Sequence, residues 1–159
     1  YFIATDPGLL ADSQKVTVYI QDVKENPIIN FIGTDSTSID ISNIDSTFII
    51  NIDEHDPFER ELISRDEDNW SELNYNLLGT DNDDFTIVTV HHDQNNYKAI
   101  LTFKDQCNGA INCPDYENPM DNNMDNKYDI IIQIMDEQGL SDSLQIIINI
   151  SNIEDIIGC

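Results

Sequence analysis

Positive charge is scarce in this sequence. Its 159 residues include 7 Lys+Arg against 31 Asp+Glu, so the formal net charge is -24. Nucleic acids and anionic membrane surfaces would repel such a chain, which argues against both as partners. Disorder is not expected, because 40% of the residues are hydrophobic and they fall in short, regularly spaced runs. A folded chain this acidic must separate or neutralise its carboxylates, and metal cations are a simple way to neutralise them.

Long apolar segments are also absent. No run approaches the about 20 apolar residues of a membrane-spanning helix. The sequence begins at Tyr1, without a methionine or the apolar segment of a signal peptide. From this start we expect a mature or excised fragment of a longer protein.

Cysteine is rare, and three residues of it are too few for a disulfide scaffold. Cys107 and Cys113 flank an Asn-Gly pair, a strong turn signal that could bring the two sulfurs together. We predict a local disulfide here and therefore an oxidising, extracellular setting, with two unpaired thiols beside a loop as the alternative. Cys159 is left over and could be a free thiol, an intermolecular link or a cloning remnant.

Short runs of alternating apolar and polar residues make up most of the chain, and this alternation is typical of half-buried strands. The runs cover residues 15–23, 45–53, 73–77, 85–90, 97–103, 128–135 and 144–150. Isoleucine and valine dominate them, proline occurs only between them, and no stretch has a helical period. The pattern predicts an all-β fold, an antiparallel Greek-key β-sandwich.

Two segments are too rich in turn residues to be strands of the core. Residues 33–45 are small and polar, and we expect an exposed loop or a weak edge pairing. Residues 107–125 combine proline, asparagine and aspartate so densely that regular structure is not expected. This second segment needs some other interaction to hold it.

The second turn-rich segment ends in a candidate metal loop. Asp121, Asn123 and Asp125 have the alternate spacing of the first EF-hand ligands, and Asn126 stands where such a loop has glycine. Ile132 occupies the place of the final glutamate, so the segment is not an EF-hand. It is either a calcium-stabilised loop or a cluster of Asx turns that satisfies its own backbone.

An internal repeat links the two ends of the chain. Residues 3–23 match residues 133–153 at a constant offset without a gap. The matched positions include Asp6 with Asp136, Leu10 with Leu140, Asp12 with Asp142 and Ile20 with Ile150. We interpret the chain as the end of one module followed by one whole module, as in a tandem array cut within a repeat.

Several motifs then carry a family resemblance. They are ATDPG at the start, the linker DVKENP, the acidic triplet DED, LNYNLLGTDNDDFTI, PDYENP and the closing MDEQGLSDSLQIIINISNIED. In this order they resemble the signature positions of cadherin repeats, particularly those of large bacterial surface and secreted proteins. The resemblance implies an immunoglobulin-like Greek-key sandwich. It also implies that residues 1–27 are the last strands and linker of a preceding repeat, that 28–155 form a complete repeat, and that 156–159 are a tail.

The resemblance further implies calcium at the junctions between repeats. The ligands expected at the N-terminal junction are Asp22, Glu25, Asn26, Asp66, Asp68 and Asp136. Those expected at the C-terminal junction are Glu54, Asp115, Glu117, Asn152 and Asp155. Lys24 stands where the family usually has asparagine and Glu25 where it has aspartate, so the N-terminal junction is expected to bind fewer ions or to bind them weakly.

The donor types also favour calcium over zinc. Calcium takes six to eight hard oxygen ligands, whereas zinc prefers cysteine and histidine. The three histidines, His55, His91 and His92, are not at ligand spacing with any cysteine, and we expect them at the surface. The alternative for His55, which follows Glu54, is a weak contact to that metal ligand.

The sequence indicates a binding or structural role rather than catalysis. Carboxylate pairs such as Asp115 with Glu117 could serve a glycosidase, but no Ser-His-Asp order, nucleophile elbow or phosphate loop is present. We therefore predict a non-enzymatic, calcium-binding adhesion module at the cell surface, whose partners are neighbouring repeats and homophilic or glycan contacts. The alternative is a carbohydrate-binding module that uses Trp70 and the tyrosines at 75, 97, 116 and 128 as a stacking platform.

Overall fold

A computed structural model describes residues 1–34, 37–40, 47–68, 73–93, 96–104, 106–107, 110–111 and 113–154. The described residues form strands and one 3-10 helix, Asn82–Asp84, but no α-helix. The strands are β1 Phe2–Thr5, β2 Ala11–Gln14, β3 Ile28–Thr34, β4 Thr37–Asp40, β5 Phe48–Asp53, β6 Glu59–Arg65, β7 Asn74–Leu78, β8 Phe85–Asp93, β9 Asn96–Phe103, β10 Gln106–Cys107, β11 Ala110–Ile111, β12 Lys127–Met135 and β13 Ser141–Ser151. No helix in this part of the chain could cross a membrane.

Two sheets form the body of the protein. One has the strand order β5-β13-β12-β7 and the other the order β4-β3-β6-β9-β8. Neighbouring strands are antiparallel except β5 and β13, which are parallel. Without the edge strands β4 and β5, the principal strands are numbered one to seven in chain order: β3, β6, β7, β8, β9, β12 and β13. The five-stranded sheet then has the order one-two-five-four, and the four-stranded sheet has the order seven-six-three. This is the arrangement of an immunoglobulin-like sandwich, and the predicted all-β sandwich is confirmed.

The core lies between these two sheets and is built by strict alternation. Every second residue of β12, from Tyr128 to Ile134, is at most 1% exposed, and the same is true of β9 from Tyr97 to Phe103. Phe85 and Phe103 meet edge to face at 5.0 Å, and the ring of Tyr128 lies 5.0 Å from that of Phe103. Such offset aromatic contacts add stabilisation beyond the area they bury.

Gly79 makes a close turn possible between β7 and β8. Its φ is +105°, and a Cβ atom there would lie 2.6 Å from the carbonyl oxygen of Asp129. Only glycine fits both the backbone conformation and the contact. The turn brings the Asp81 side chain against β12.

The first predicted strand, residues 15–23, is wrong. Residues 15–27 form no strand, and β1 and β2 instead form a short hairpin ahead of them. Tyr19 and Ile20 are 90% and 94% exposed. The alternation in this segment is suited to a sheet, but no other described strand pairs with it, so the pattern alone does not produce a strand.

Two strands of the five-stranded sheet were not predicted. The exposed positions of β6 carry charge that masks its pattern, although Leu62 and Ser64 are buried. Its Glu61 forms an ion pair with Lys98 on β9. β3 is apolar but irregular, with a register shift between Ile29 and Phe31. β4 lies at the edge of the five-stranded sheet and pairs with β3. This is the second of the two alternatives for residues 33–45, an exposed loop or a weak edge pairing.

The alternation of burial can be tested with two isoleucines of the four-stranded sheet. Ile130 on β12 is fully buried and Ile49 on β5 is 57% exposed. We expect Ile130→Ala to lower the free energy of unfolding by about 2–5 kcal/mol, because it leaves a cavity between the sheets. Ile49→Ala should lower it by less than about 1 kcal/mol. Urea denaturation measures both values, and equal losses would contradict the assigned faces.

Candidate metal centres

Acidic residues collect at the two ends of the sandwich. The N-terminal pole comprises residues 22–27, residues 66–68 and Asp136. It is assembled because β3 starts opposite the end of β6, where Ile28 pairs with Arg65. The amide of Ile29 also donates to Oδ2 of Asp142 at 3.1 Å, which joins the two sheets at this end.

The linker of the N-terminal pole is attached to the acidic triplet. The amide of Glu25 donates to Oδ2 of Asp68 at 2.6 Å, and the amide of Asp68 donates to Oδ1 of Asp66 at 2.9 Å. Asp66 is 1% exposed. The structure therefore brings the predicted ligands Glu25, Asp66 and Asp68 together, and Asp22 joins them through Lys24.

Asp136 follows β12, and only one of its two carboxylate oxygens accepts hydrogen bonds from the described residues. Its Oδ1 accepts hydrogen bonds from the amides of Gln138 and Leu140, both at 2.8 Å. Its Oδ2 is buried and has no hydrogen-bond partner among the described residues, and the residue is only 3% exposed. A buried carboxylate oxygen without a partner is costly unless a cation or proton compensates it. A cation at Asp136 would compensate this oxygen, but among the described residues Asp136 belongs to no group of three or more His, Cys, Asp or Glu ligand atoms within 4.8 Å of one another.

The predicted internal repeat is visible in the turns. Asp6 caps the β1–β2 turn as Asp136 caps the β12–β13 turn: the amide of Leu10 donates to Oδ1 of Asp6 at 3.0 Å. The amide of Asp6 donates to the carbonyl of Leu10 at 2.9 Å, as Asp136 donates to Leu140 at 3.0 Å. Asp6 is exposed, whereas Asp136 is buried.

The C-terminal pole comprises residues 54–55, 115–118 and 152–153. Glu54 is fully buried and holds the other two segments: its Oε1 accepts from the amide of Ile153 at 2.7 Å and its Oε2 from that of Tyr116 at 3.0 Å. Asn152 donates to Oε1 of Glu117 at 2.6 Å. The predicted ligands Glu54, Asp115, Glu117 and Asn152 thus come from three segments to one place. Asp155 lies outside the described residues.

His55 belongs to this pole, although we expected it at the surface. Ligand atoms of Glu54, His55 and Asp115 all lie within 4.8 Å of one another. The side chain of His55 is 23% exposed, and its Nε2 is 4.0 Å from Oε2 of Glu54. Its amide donates to the carbonyl of Pro114 at 2.9 Å, and its φ of 64° turns the chain there. Only its position beside Glu54 could have signalled this from the sequence.

Each pole contains two carboxyl groups in contact. A hydrogen bond with Glu54 raises the pKa of Glu117. Burial acts to raise the pKa of Glu54, but hydrogen bonds from the amides of Ile153 and Tyr116 oppose it, and the pKa is lowered overall. At the other pole, a hydrogen bond with Asp68 raises the pKa of Glu25, and the Glu25 amide lowers the pKa of Asp68. A proton or a metal cation would relieve the repulsion in each pair.

The loop at Asp121 is held by its own backbone. Oδ2 of Asp121 accepts from the amide of Asp125 at 2.8 Å, and its Oδ1 accepts from that of Asn126 at 3.1 Å. Asp125 in turn accepts from the amide of Lys127 at 3.0 Å, while Asn123 is exposed. The φ of Asn126 is 63°, the left-handed conformation expected where an EF-hand loop has glycine. Asx-turn hydrogen bonds therefore hold the backbone of this loop, and the calcium-stabilised alternative stays a prediction.

Asp81 is a buried acid that sequence reasoning missed. It is 5% exposed and accepts from the amides of Asn122 at 2.8 Å and Asp129 at 2.7 Å, and from the hydroxyl of Thr80 at 3.0 Å. It fastens the 121–126 loop to the β7–β8 turn. The three aspartates in residues 79–84, GTDNDD, were the available signal, but this composition is typical of an exposed turn.

The tyrosine platform, Trp70 and the cysteines are the remaining predicted features. Tyr97 and Tyr128 are 0% and 1% exposed, so neither can belong to a sugar-stacking platform. Trp70, Asp155 and Cys159 lie outside the described residues. Cys113 is buried, but the side chain of Cys107 is not described, so their disulfide stays a prediction.

Comparison with known proteins adds no relatives. No family model matches the chain, and no curated protein matches it at a significant level. The function is therefore inferred from the residues of the two poles.

The structural role of Asp81 can be tested by an isosteric change. We expect Asp81→Asn to lower the free energy of unfolding by about 1–3 kcal/mol, because the amide nitrogen cannot accept the hydrogen bonds of a carboxylate oxygen. Asp83→Asn, on the same turn but exposed, should change it by less than about 0.5 kcal/mol. Urea denaturation in the presence of a chelator compares the two variants, and a neutral Asp81→Asn would contradict the assigned role.

The coupled pair at the C-terminal pole predicts a pH optimum for the metal-free protein. The raised pKa of Glu117 gives stability that is complete below its ordinary value of 4.5 and is lost as the pH rises through the folded-state pKa. The lowered pKa of Glu54 gives stability that is present above 4.5 and is lost at lower pH. We expect the melting temperature in chelator to rise from neutral pH towards about pH 5 and then fall.

Glu117→Gln should flatten that rise, because it removes the group that titrates. Glu59→Gln, an exposed glutamate at the same end of the sandwich, is the matched control. Identical pH profiles for the two variants would show that Glu117 does not titrate with Glu54.

Proposed function

We propose that this chain is a calcium-binding, non-enzymatic module of an extracellular tandem-repeat protein, in which calcium stiffens the junctions between neighbouring modules. The observation that carries the proposal is the assembly of carboxylates at both ends of one sandwich, where the chain enters β3 and leaves β13. Glu54 and Asp136 are buried within these clusters. A sandwich core gains nothing from buried acids at its ends unless they are compensated.

The donor atoms support calcium as the cation. Besides His55, the predicted ligands offer carboxylate or side-chain amide oxygens, the hard donors that calcium requires in numbers of six to eight. Oδ2 of Asp136 is buried and has no hydrogen-bond partner in the part of the chain that the structure describes, and the contact between Glu54 and Glu117 brings two acids together. The residues present therefore fit the ion.

The residues of each pole would act on the geometry of a junction. Bound calcium supplies two positive charges that offset the repulsion between close carboxylates. Glu54 connects the 115–118 segment to the chain leaving β13, through the amides of Tyr116 and Ile153. Glu25 and Asp68 connect the incoming linker to the sandwich. Ordering these contacts would fix the direction in which the chain enters and leaves the module.

The test compares melting curves in calcium and in chelator. A ligand at about 100 times its Kd stabilises the folded protein by about 2.7 kcal/mol per site. We therefore expect saturating calcium to raise the melting temperature by roughly 5–10 °C. A melting curve that calcium and EDTA leave unmoved would contradict the proposal.

Two variants locate the effect. Asp136→Asn changes the carboxylate whose Oδ2 has no partner among the described residues. It should reduce the rise in melting temperature that calcium causes, because it weakens binding at the N-terminal pole. Asp6→Asn is its matched control, because Asp6 caps the same kind of turn but is exposed. Zinc is tested in parallel because His55 approaches Glu54 and Asp115. A larger shift with zinc, abolished by His55→Ala, would replace calcium at the C-terminal pole.

A further inference from the structure

The N-terminal pole contains a cation supplied by the chain itself. Nζ of Lys24 lies 3.2 Å from Oδ2 of Asp22 and 3.6 Å from Oδ1 of Asp68. Two carboxylates from different segments therefore share one ammonium group. Lys24 remains 46% exposed and Asp22 75% exposed, whereas the side chain of Asp68 is only 6% exposed.

The C-terminal pole differs in this respect. In the described part of the chain, no lysine or arginine lies within ion-pair distance of Glu54, Asp115 or Glu117, and the nearby basic group is His55. The poles have similar acids, but one has an internal positive charge and the other does not. Their dependence on an external cation should differ accordingly.

Lys24 also reinforces a contact that orders the linker. Asp68 receives the Glu25 amide on Oδ2 and the Lys24 ammonium on Oδ1. The hydrogen bond to Asp22 raises the pKa of Lys24, so the group is fully charged at neutral pH. Pro27, immediately after these residues, is buried and leads into β3. The linker is thus attached at Asp68 immediately before it enters the five-stranded sheet.

We propose that Lys24 is an internal substitute for a metal ion at the N-terminal pole: it holds the linker to Asp68 without metal and competes with a divalent cation for Asp22 and Asp68. The holding role concerns the metal-free chain and does not depend on the proposed function. The competing role rests on the proposed function. Lys24 would make this junction less dependent on calcium than the C-terminal one.

The experiment uses Lys24→Gln, with Lys15→Gln as a control that removes the same charge from an exposed site in the same segment. In chelator, hydrogen exchange of the Glu25 amide is measured by NMR. Loss of an exposed ion pair should accelerate it by about two- to fivefold in Lys24→Gln and leave it unchanged in Lys15→Gln. Lys24→Arg keeps the charge and should restore slow exchange.

Calcium binding to the same proteins is measured by isothermal titration. Removing a positive charge roughly 5 Å from a divalent ion should tighten binding on the order of tenfold, or add one ion to the stoichiometry. A charge at the more distant Lys15 is largely screened at physiological salt.

The outcomes separate the two proposals. Unchanged exchange of the Glu25 amide in Lys24→Gln would overturn the holding role. Calcium binding equal to that of Lys15→Gln would overturn the competing role. If no variant binds calcium but exchange of the Glu25 amide accelerates only in Lys24→Gln, the proposed calcium-binding function is wrong and the holding role of Lys24 is confirmed.

Discussion

The hydrogen bond from a backbone amide to a carboxylate is the interaction on which this structure depends. Seven basic residues cannot neutralise 31 acids, so the buried acids are compensated mainly by the backbone. Asp81, Asp121, Asp136 and Glu54 all accept amide hydrogen bonds where the chain turns. Only the amide of Asp129, on β12, lies within a strand, and each bond satisfies a backbone donor and also stabilises a charge. The acidic composition and the loop-rich ends of the sandwich thus have one physical explanation.

The buried acids differ in how completely the backbone satisfies their carboxylate oxygens. Both carboxylate oxygens of Asp121 are used by amides of its own loop, and both oxygens of Asp81 are used between two loops. In Asp136, by contrast, Oδ1 accepts amides and the buried Oδ2 has no partner among the residues that the structure describes. Glu117 meets a second carboxyl group, that of Glu54. Glu54 and Asp136 lie at the poles, where calcium is proposed, although both oxygens of Glu54 also accept amides. Close acids also occur away from the poles, where burial and the charges of Asp81 and Asp121 raise the pKa of Asp84.

The sandwich could be predicted from the sequence because burial alternates along β9, β12 and β13, and apolar residues occupy every second position of these strands. It could not predict β6, whose outward charges hide two inward residues, or show that residues 15–23 lack a partner strand. Most predicted ligands meet because their motifs lie at strand ends. His55 and Asp81 were missed because burial and long-range amide contacts, rather than local spacing, define their roles.

The duplicated turn shows where sequence information ends. Asp6 and Asp136 stand in matched segments and make equivalent hydrogen bonds to Leu10 and Leu140, so the local sequence is sufficient to form the turn. Only Asp136 is buried, because the hairpin β12–β13 lies inside a sheet, between β7 and β5, and packs on the other sheet. The free oxygen of Asp136 is costly only in that setting, since water satisfies an exposed carboxylate. Capacity to bind a cation is therefore a property of the turn's place in the sandwich, and a repeat in the sequence does not by itself repeat the site.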